Sequence, residues 1–171
     1  MENQPLSTGS YAKNYGLVLG LILILISVIM YVTGMQLEGV QWPMYIYYVL
    51  FPVVIIYVIS QYKKNNSNLL SLSQAIKIGT LIGVISALVF AVYGLVFNYI
   101  IDPGFQEQAM EVVKDKLLEN PDLSEEMVEQ QIIMMKKFSN PILGSALWIA
   151  LSAFFGLLYS LIGGVAMKKE A

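Results

Sequence analysis

Apolar residues fall into four long runs along this chain, and polar residues gather between them. The runs cover residues 15–34, 42–60, 73–101 and 142–167. About 20 apolar residues in helical form cross a bilayer core of about 30 Å, so each run predicts a membrane-spanning helix. The third is long enough to tilt or protrude. Between the third and fourth runs the pattern changes. Residues 102–139 hold 13 of the 22 charged side chains, and their apolar residues recur at helical spacing. Phe105, Ala109, Val112, Val113 and Leu117 mark one face; Met127, Val128, Ile132, Met135 and Phe138 mark a second. The expected fold is an all-α membrane protein, with four transmembrane helices and an extracytoplasmic amphipathic helical hairpin at 102–140. Its length allows a single domain over residues 1–171.

Local chemistry supplies the boundaries. Ser71 and Gln74 have capping-box spacing ahead of span three, and Pro43 suits the first turn of span two. Asp102 is expected to cap the first hairpin helix, with Pro103 at its first position, and that helix should run to about Glu119. Asn120-Pro121 breaks it. Ser124 then caps a second helix whose first turn carries Glu125 and Glu126. Asn140-Pro141 ends the hairpin and opens span four. Pro52 sits in the middle of span two among Tyr45, Tyr47, Tyr48 and Tyr57. It removes one helical amide and predicts a kink, either a packing feature or the edge of a ligand pocket. Trp42 and Tyr62 are expected at headgroup level, and Trp148 there or deeper.

Small residues form stripes. Gly16 and Gly20 lie on span one. Ala75, Gly79, Gly83, Ala87 and Ala91 lie four apart on span three. Ser152, Gly156, Ser160 and Gly164 do so on span four. Such stripes let helix backbones approach closely. The main expectation is packing within one chain; the alternative is a dimer or partner interface. On this basis Gly83→Leu should destabilise, and Val89→Leu should not.

Composition narrows the chemistry. Charged residues make up 13% of the chain, against about a quarter in soluble domains. There is no Cys and no His, and all ten cations are Lys. Thiol chemistry, haem attachment and the commonest metal ligands are therefore excluded. No cofactor, metal or catalytic set is expected, nor any nucleic-acid partner at a net charge of −2. Glu125 and Glu129, one turn apart, read as a solvated face. Lys13, Lys63, Lys64, Lys77, Lys168 and Lys169 flank one end of the spans, while the 102–139 segment holds four Lys against nine acids. The positive-inside rule then puts both termini in the cytoplasm, in the cytoplasmic membrane, with the hairpin outside. The first span reads as retained rather than as a cleaved signal. Inside the spans only Lys77 is charged, one turn from an end where it can snorkel. Coupled transport usually needs buried ionisable groups.

Four stretches carry a resemblance: Ser73-Gln74-Ala75 with Lys77 and Gly79; Ile101-Asp102-Pro103 with Phe105; Ser124-Glu125-Glu126 with Glu129; and Met134-Met135-Lys136-Lys137-Phe138 before Pro141. Over nearly its whole length the chain resembles the bacterial membrane family called domain of unknown function 4199. The resemblance implies a small four-span protein with a helical insertion. It implies no activity and no catalytic residues. The leading expectation is a non-enzymatic membrane protein that acts by interaction or envelope organisation. Its partners would be the lipid bilayer and either further copies of itself or another membrane protein. An oligomeric channel or passive transporter is the alternative, though Ser86 and Asn98 make a sparse polar stripe. A membrane enzyme acting on lipid through Asp102 is the second alternative.

Overall fold

Each apolar run becomes a helix, and the polar residues at its ends decide where it stops. The computed structural model describes residues 7–169; the outermost bounds of the expected domain lie outside them. α1 spans Thr8–Val32. It starts ahead of the expected position 15 because the Ser7 hydroxyl accepts from the Ser10 amide at 3.4 Å. α2, Met35–Glu38, is a single turn between Gly34 and Gly39. Both glycines have positive φ, 77° and 75°, a conformation that other residues adopt only at a cost. α3 is Trp42–Asn65, and it continues as helix on both sides of Pro52.

α4 covers Leu72–Val96 and passes into a π-helical turn at Phe97–Ile101. Its start carries both capping-box bonds. The Gln74 amide donates to Ser71 Oγ at 3.2 Å, and the Ser71 amide donates to Gln74 Oε1 at 2.9 Å. α5 is Phe105–Leu118, α6 is Glu125–Phe138, and α7 is Pro141–Met167. Asn140 caps α7 by accepting from the Ile142 and Leu143 amides. Ser124 caps α6 by accepting from Met127.

Four helices, α1, α3, α4 extended by its π-turn, and α7, are long and apolar enough to cross a membrane. α4 is central and packs most extensively against α7, then against α1. Leu19, Leu23, Ile55, Ile59, Ile78 and Ile82 fill the space between spans. Leu21, Val53 and Val92 face outward. Outward leucine and valine fit a hydrocarbon solvent, which is as apolar as they are. This is an integral membrane architecture, as the lengths of the apolar runs require.

The two ends of the bundle differ. At the lysine-bearing end, Leu70 and Lys169 exchange backbone hydrogen bonds of 2.8 and 2.9 Å, and Lys63 Nζ donates to the Met167 carbonyl at 2.8 Å. Tyr62 is buried there edge-on to Tyr11, with ring centres 5.5 Å apart. Tyr11, in the early-starting α1, covers it. The opposite end carries α5 and α6.

Asp102 does not cap α5. The helix begins at Phe105, Gly104 precedes it, and no side chain caps it. Pro103 consequently lies outside the helix. The reason is a competing donor: the Tyr31 hydroxyl on α1 gives its proton to Asp102 Oδ2 at 2.9 Å. The π-turn also holds the Asp102 backbone, whose amide donates to the Phe97 carbonyl at 2.9 Å.

Candidate functional site

The small-residue stripes build the seam on which everything else is arranged. Gly79 and Gly83 of α4 meet Gly156, Ser152 and Ser160 of α7. A Cβ at Gly156 would stand 2.5 Å from the Gly79 carbonyl oxygen, and one at Gly79 would stand 2.6 Å from the Gly156 carbonyl oxygen. One at Gly83 would collide with the Ser152 backbone. At Gly164 a Cβ would stand 2.7 Å from Ala75 Cβ. Ala87, Ser152 and Ser160 are buried in the same seam, with Ser160 Oγ donating to its own helix at Leu157. On the other side of α4, Gly16 faces Ile85 and Gly20 faces Val89 at 2.7 Å from a would-be Cβ. Val89 is thus the knob against Gly20, so Val89→Leu is not the neutral change that the stripe alone suggested.

Toward α5 and α6 the seam opens. A Cβ at Gly94 or Gly144 would meet nothing within 4 Å. The residue that separates the closed part from the open part is Trp148. Gly144, Trp148, Ser152, Gly156, Ser160 and Gly164 lie four apart on α7, so Trp148 replaces a small residue in an otherwise small register. Its ring packs on Phe90 and Tyr47, at 6.0 and 6.3 Å between centres. An indole in that register holds the two backbones apart.

Two cavities result, and Trp148 lines both. The outer one holds about 370 Å³. Asn98, Gln106, Ser139, Asn140 and Ser145 supply its polar wall, and Phe90 supplies apolar floor. The deeper one, also about 370 Å³, lies between α3 and α7 and is lined by Tyr47, Phe51, Leu151, Phe155 and Tyr159 among others. No charged side chain lines either cavity. The Trp148 Nε1–H is buried without an acceptor among the described residues. The hydroxyls of Tyr47 and Ser86 lie 3.4 Å apart at the α3–α4 contact, so this tyrosine beside Pro52 is engaged by a neighbouring span.

The α5–α6 pair is attached at two points. Tyr31, Phe97 and Phe105 form an aromatic cluster with ring centres 4.9 to 5.6 Å apart, and the Asp102–Tyr31 bond closes it. Lys116 Nζ donates to the Glu38 carbonyl of α2 at 2.6 Å. Of the apolar face expected on α6, only Val128 and Ile132 are buried; Met127, Met135 and Phe138 remain exposed. Two helices of this length cannot enclose both faces, and α5 uses its own start to anchor on α1 and the π-turn.

Sequence reasoning missed Tyr31, Phe97, Gly94 and Gly144. Tyr31 and Phe97 read as ordinary span residues because their partner is brought by the fold. Gly144 carried a usable signal, since it continues the four-residue register once Trp148 is admitted to it. Among the described residues no group of three or more Asp or Glu is arranged to hold a metal ion.

Comparisons with curated proteins and with solved structures returned no match. The model of a family described as "Protein of unknown function (DUF4199)" matches residues 14–169. That stretch holds most of α1, the other three spans and both helices of the insertion, and on it the chain belongs to the DUF4199 family.

Proposed function

We propose that this protein is a non-enzymatic component of the cytoplasmic membrane that binds another membrane protein through the exposed face of α6. One observation carries the reading. Met127, Met134 and Phe138 are 47%, 63% and 68% exposed on a helix that lies outside the spans. Water-facing apolar residues in a continuous patch mark interaction surfaces, and methionine adapts to irregular partners. Met110, Gln131, Met134, Met135 and Phe138 line an open groove of about 530 Å³ beside this face. The occupant that fits is an apolar helix from a neighbouring membrane protein. A bilayer-lying role is disfavoured by the nine acids against four lysines in residues 102–139, of which α6 itself holds three acids and two lysines, since interfacial helices favour cations on the polar face. The small-residue stripes are filled by the chain's own helices, so a partner bound through them would have to displace those contacts.

The lysine distribution supports both termini in the cytoplasm and α5–α6 outside. Cysteine placed at Asn120 should react with an impermeant thiol reagent in intact cells whose outer membrane, if present, has been permeabilised. Cysteine at Ser67 should not; the reverse pattern refutes the orientation. For the interaction, a photocrosslinker at Met134 should trap one recurrent protein in native membranes, while one at Lys114 should not. Phe138→Asp in the Met134 background should abolish the adduct. Adducts to lipid alone, or equal trapping from both positions, would defeat the reading.

A further inference from the structure

The geometry points to a lipid-binding site in the two cavities that border Trp148, and the occupant we infer is a glycerolipid with an uncharged head, of the diacylglycerol type, laid across the indole. The outer cavity adjoins the α6 groove, with which it shares Phe138 and Ser139, so the variants that test it are placed on α4 and α7 instead. Three observations carry it.

The first is the gradient of the lining. The outer cavity carries amides and hydroxyls on a largely apolar wall that includes Phe90, Phe138 and Trp148, while the deeper one is lined by Phe51, Leu151, Phe155 and the ring of Tyr159. Ser145 to Tyr159 covers about 21 Å of helix at 1.5 Å per residue. One leaflet of hydrocarbon is half of about 30 Å. That lining is longer than one leaflet, enough for a polar head at its mouth and an acyl tail that reaches the bilayer midplane.

The second is the charge. A phosphate head calls for lysine or arginine at hydrogen-bond reach, and neither cavity is lined by any cation. Asn98 gives its amide hydrogen to Gly94 at 2.7 Å, and the Asn140 oxygen is spent on two helix amides. The Asn98 oxygen and the Asn140 amide hydrogens remain to meet a hydroxyl and an ester carbonyl. The third is the Trp148 Nε1–H, a buried donor without an acceptor among the described residues. A buried polar group left unmatched is costly, and an ester carbonyl at this depth supplies the match.

Gly94 and Gly144 make the proposal testable, because side chains there would fill the outer cavity without striking the backbone. Trp42 is the only other tryptophan, so Trp42→Phe leaves Trp148 as the sole emitter. In phosphatidylglycerol nanodiscs, the full chain with this change is titrated with diacylglycerol carrying dibrominated acyl chains. Trp148 emission should be quenched saturably at a few mole per cent. Native mass spectrometry should find one retained diacylglycerol. Trp148→Phe should retain it about three- to tenfold more weakly, the loss of one hydrogen bond. Gly144→Leu, melting with the parent, should reduce quenching to a linear background and lose the retained lipid. If Gly144→Leu melts early, Gly94→Leu takes its place. Linear quenching in the parent, no retained diacylglycerol, or equal retention of phosphatidylglycerol would each overturn the proposal.

Discussion

The same pair of helices makes two different contacts. Below Trp148, α4 and α7 touch backbone to backbone, and a Cβ at Gly156 would stand 2.5 Å from the Gly79 carbonyl oxygen. Above it, Gly94 and Gly144 face open space. Glycine is the residue in both places, so composition does not distinguish them. What distinguishes them is a single indole in the register. Close packing in the lower half supplies the van der Waals contact that holds spans together in lipid, where apolar burial gives no drive between helices. The upper half gives up that contact, and the chain attaches α5 and α6 there by other means.

The sharpest way to break this comparison is to add the same side chain to each half. Gly79→Leu must push α7 away along the seam. Overpacking costs about 1–3 kcal/mol and occasionally more, and a backbone neighbour, unlike a side chain, cannot rotate aside. We expect a loss of about 3 kcal/mol or failure to assemble, read as thermal unfolding in detergent. Gly94→Leu should cost less than about 0.5 kcal/mol. Val92→Leu on the lipid face, where Val92 is 63% exposed, is the control that Val89→Leu cannot be. Equal melting of the two glycine variants would remove the distinction between the halves.

The next effect concerns how the upper half is fastened. Asp102→Ala deletes the acceptor of Tyr31 and leaves a phenol at the edge of the aromatic cluster. A lost hydrogen bond to a charged acceptor is worth about 1.5–3 kcal/mol, and partial exposure puts this one at the low end. Hydrogen exchange across residues 105–118 should quicken by about tenfold, with residues 72–91 unchanged. Tyr31→Phe should reproduce it. Slowed or unchanged exchange in both variants would show that the Phe105 ring contacts and Lys116 hold α5 without this bond.

Caps at the two ends compare the same way at smaller scale. Ser71→Ala removes half of a capping box, and Asn140→Ala removes both side-chain bonds at the start of α7. Each should cost about 1 kcal/mol. Ser71 should show in global melting, because Leu70 and Lys169 tie its loop to the end of α7. Asn140 should show chiefly as faster exchange in the first turn of α7, beside the outer cavity.

How legible these features were depends on how local their causes are. The spans followed from runs of apolar residues. The caps at Ser71 and Ser124 followed from side chains that bond amides three residues on, whereas Asn140 read only as a boundary with Pro141. Asp102 looked equally local and was not, because Tyr31, 71 positions away in sequence, outcompetes the helix for its carboxylate. The burial of Tyr62 was likewise set by a distant residue, Tyr11. The stripes announced close packing without naming partners, and the cavity was hidden because an opening is defined by what the neighbouring helix fails to supply. The amphipathic faces of α5 and α6 were plain, but whether a face is covered depends on area available elsewhere.

The smallest effect is also the one that tests whether the closed half is optimal. Thr80 sits on α4 beside the seam, its Cα 3.3 Å from where a Cβ on Gly156 would lie. Its Oγ1 is buried without a hydrogen-bond partner. Threonine in a helix commonly returns its hydroxyl to a carbonyl three or four residues back, and here it does not. A buried hydroxyl left unmatched carries its desolvation cost, about 1–3 kcal/mol in protein interiors. In a membrane the unfolded reference finds polar partners less readily than in water, so only part of that cost appears on folding. Valine has nearly the same shape and no hydroxyl. Thr80→Val should therefore raise stability by up to about 1 kcal/mol, seen as a small upward shift of the unfolding midpoint in detergent. The same exchange at Ser86 should do the opposite. Its hydroxyl donates to the Gly83 carbonyl at 3.0 Å and lies 3.4 Å from Tyr47, so Ser86→Ala removes bonds that are made. If both variants fall in stability together, the Thr80 hydroxyl has a partner in the membrane, and the closed half of the seam admits a polar guest as the open half does.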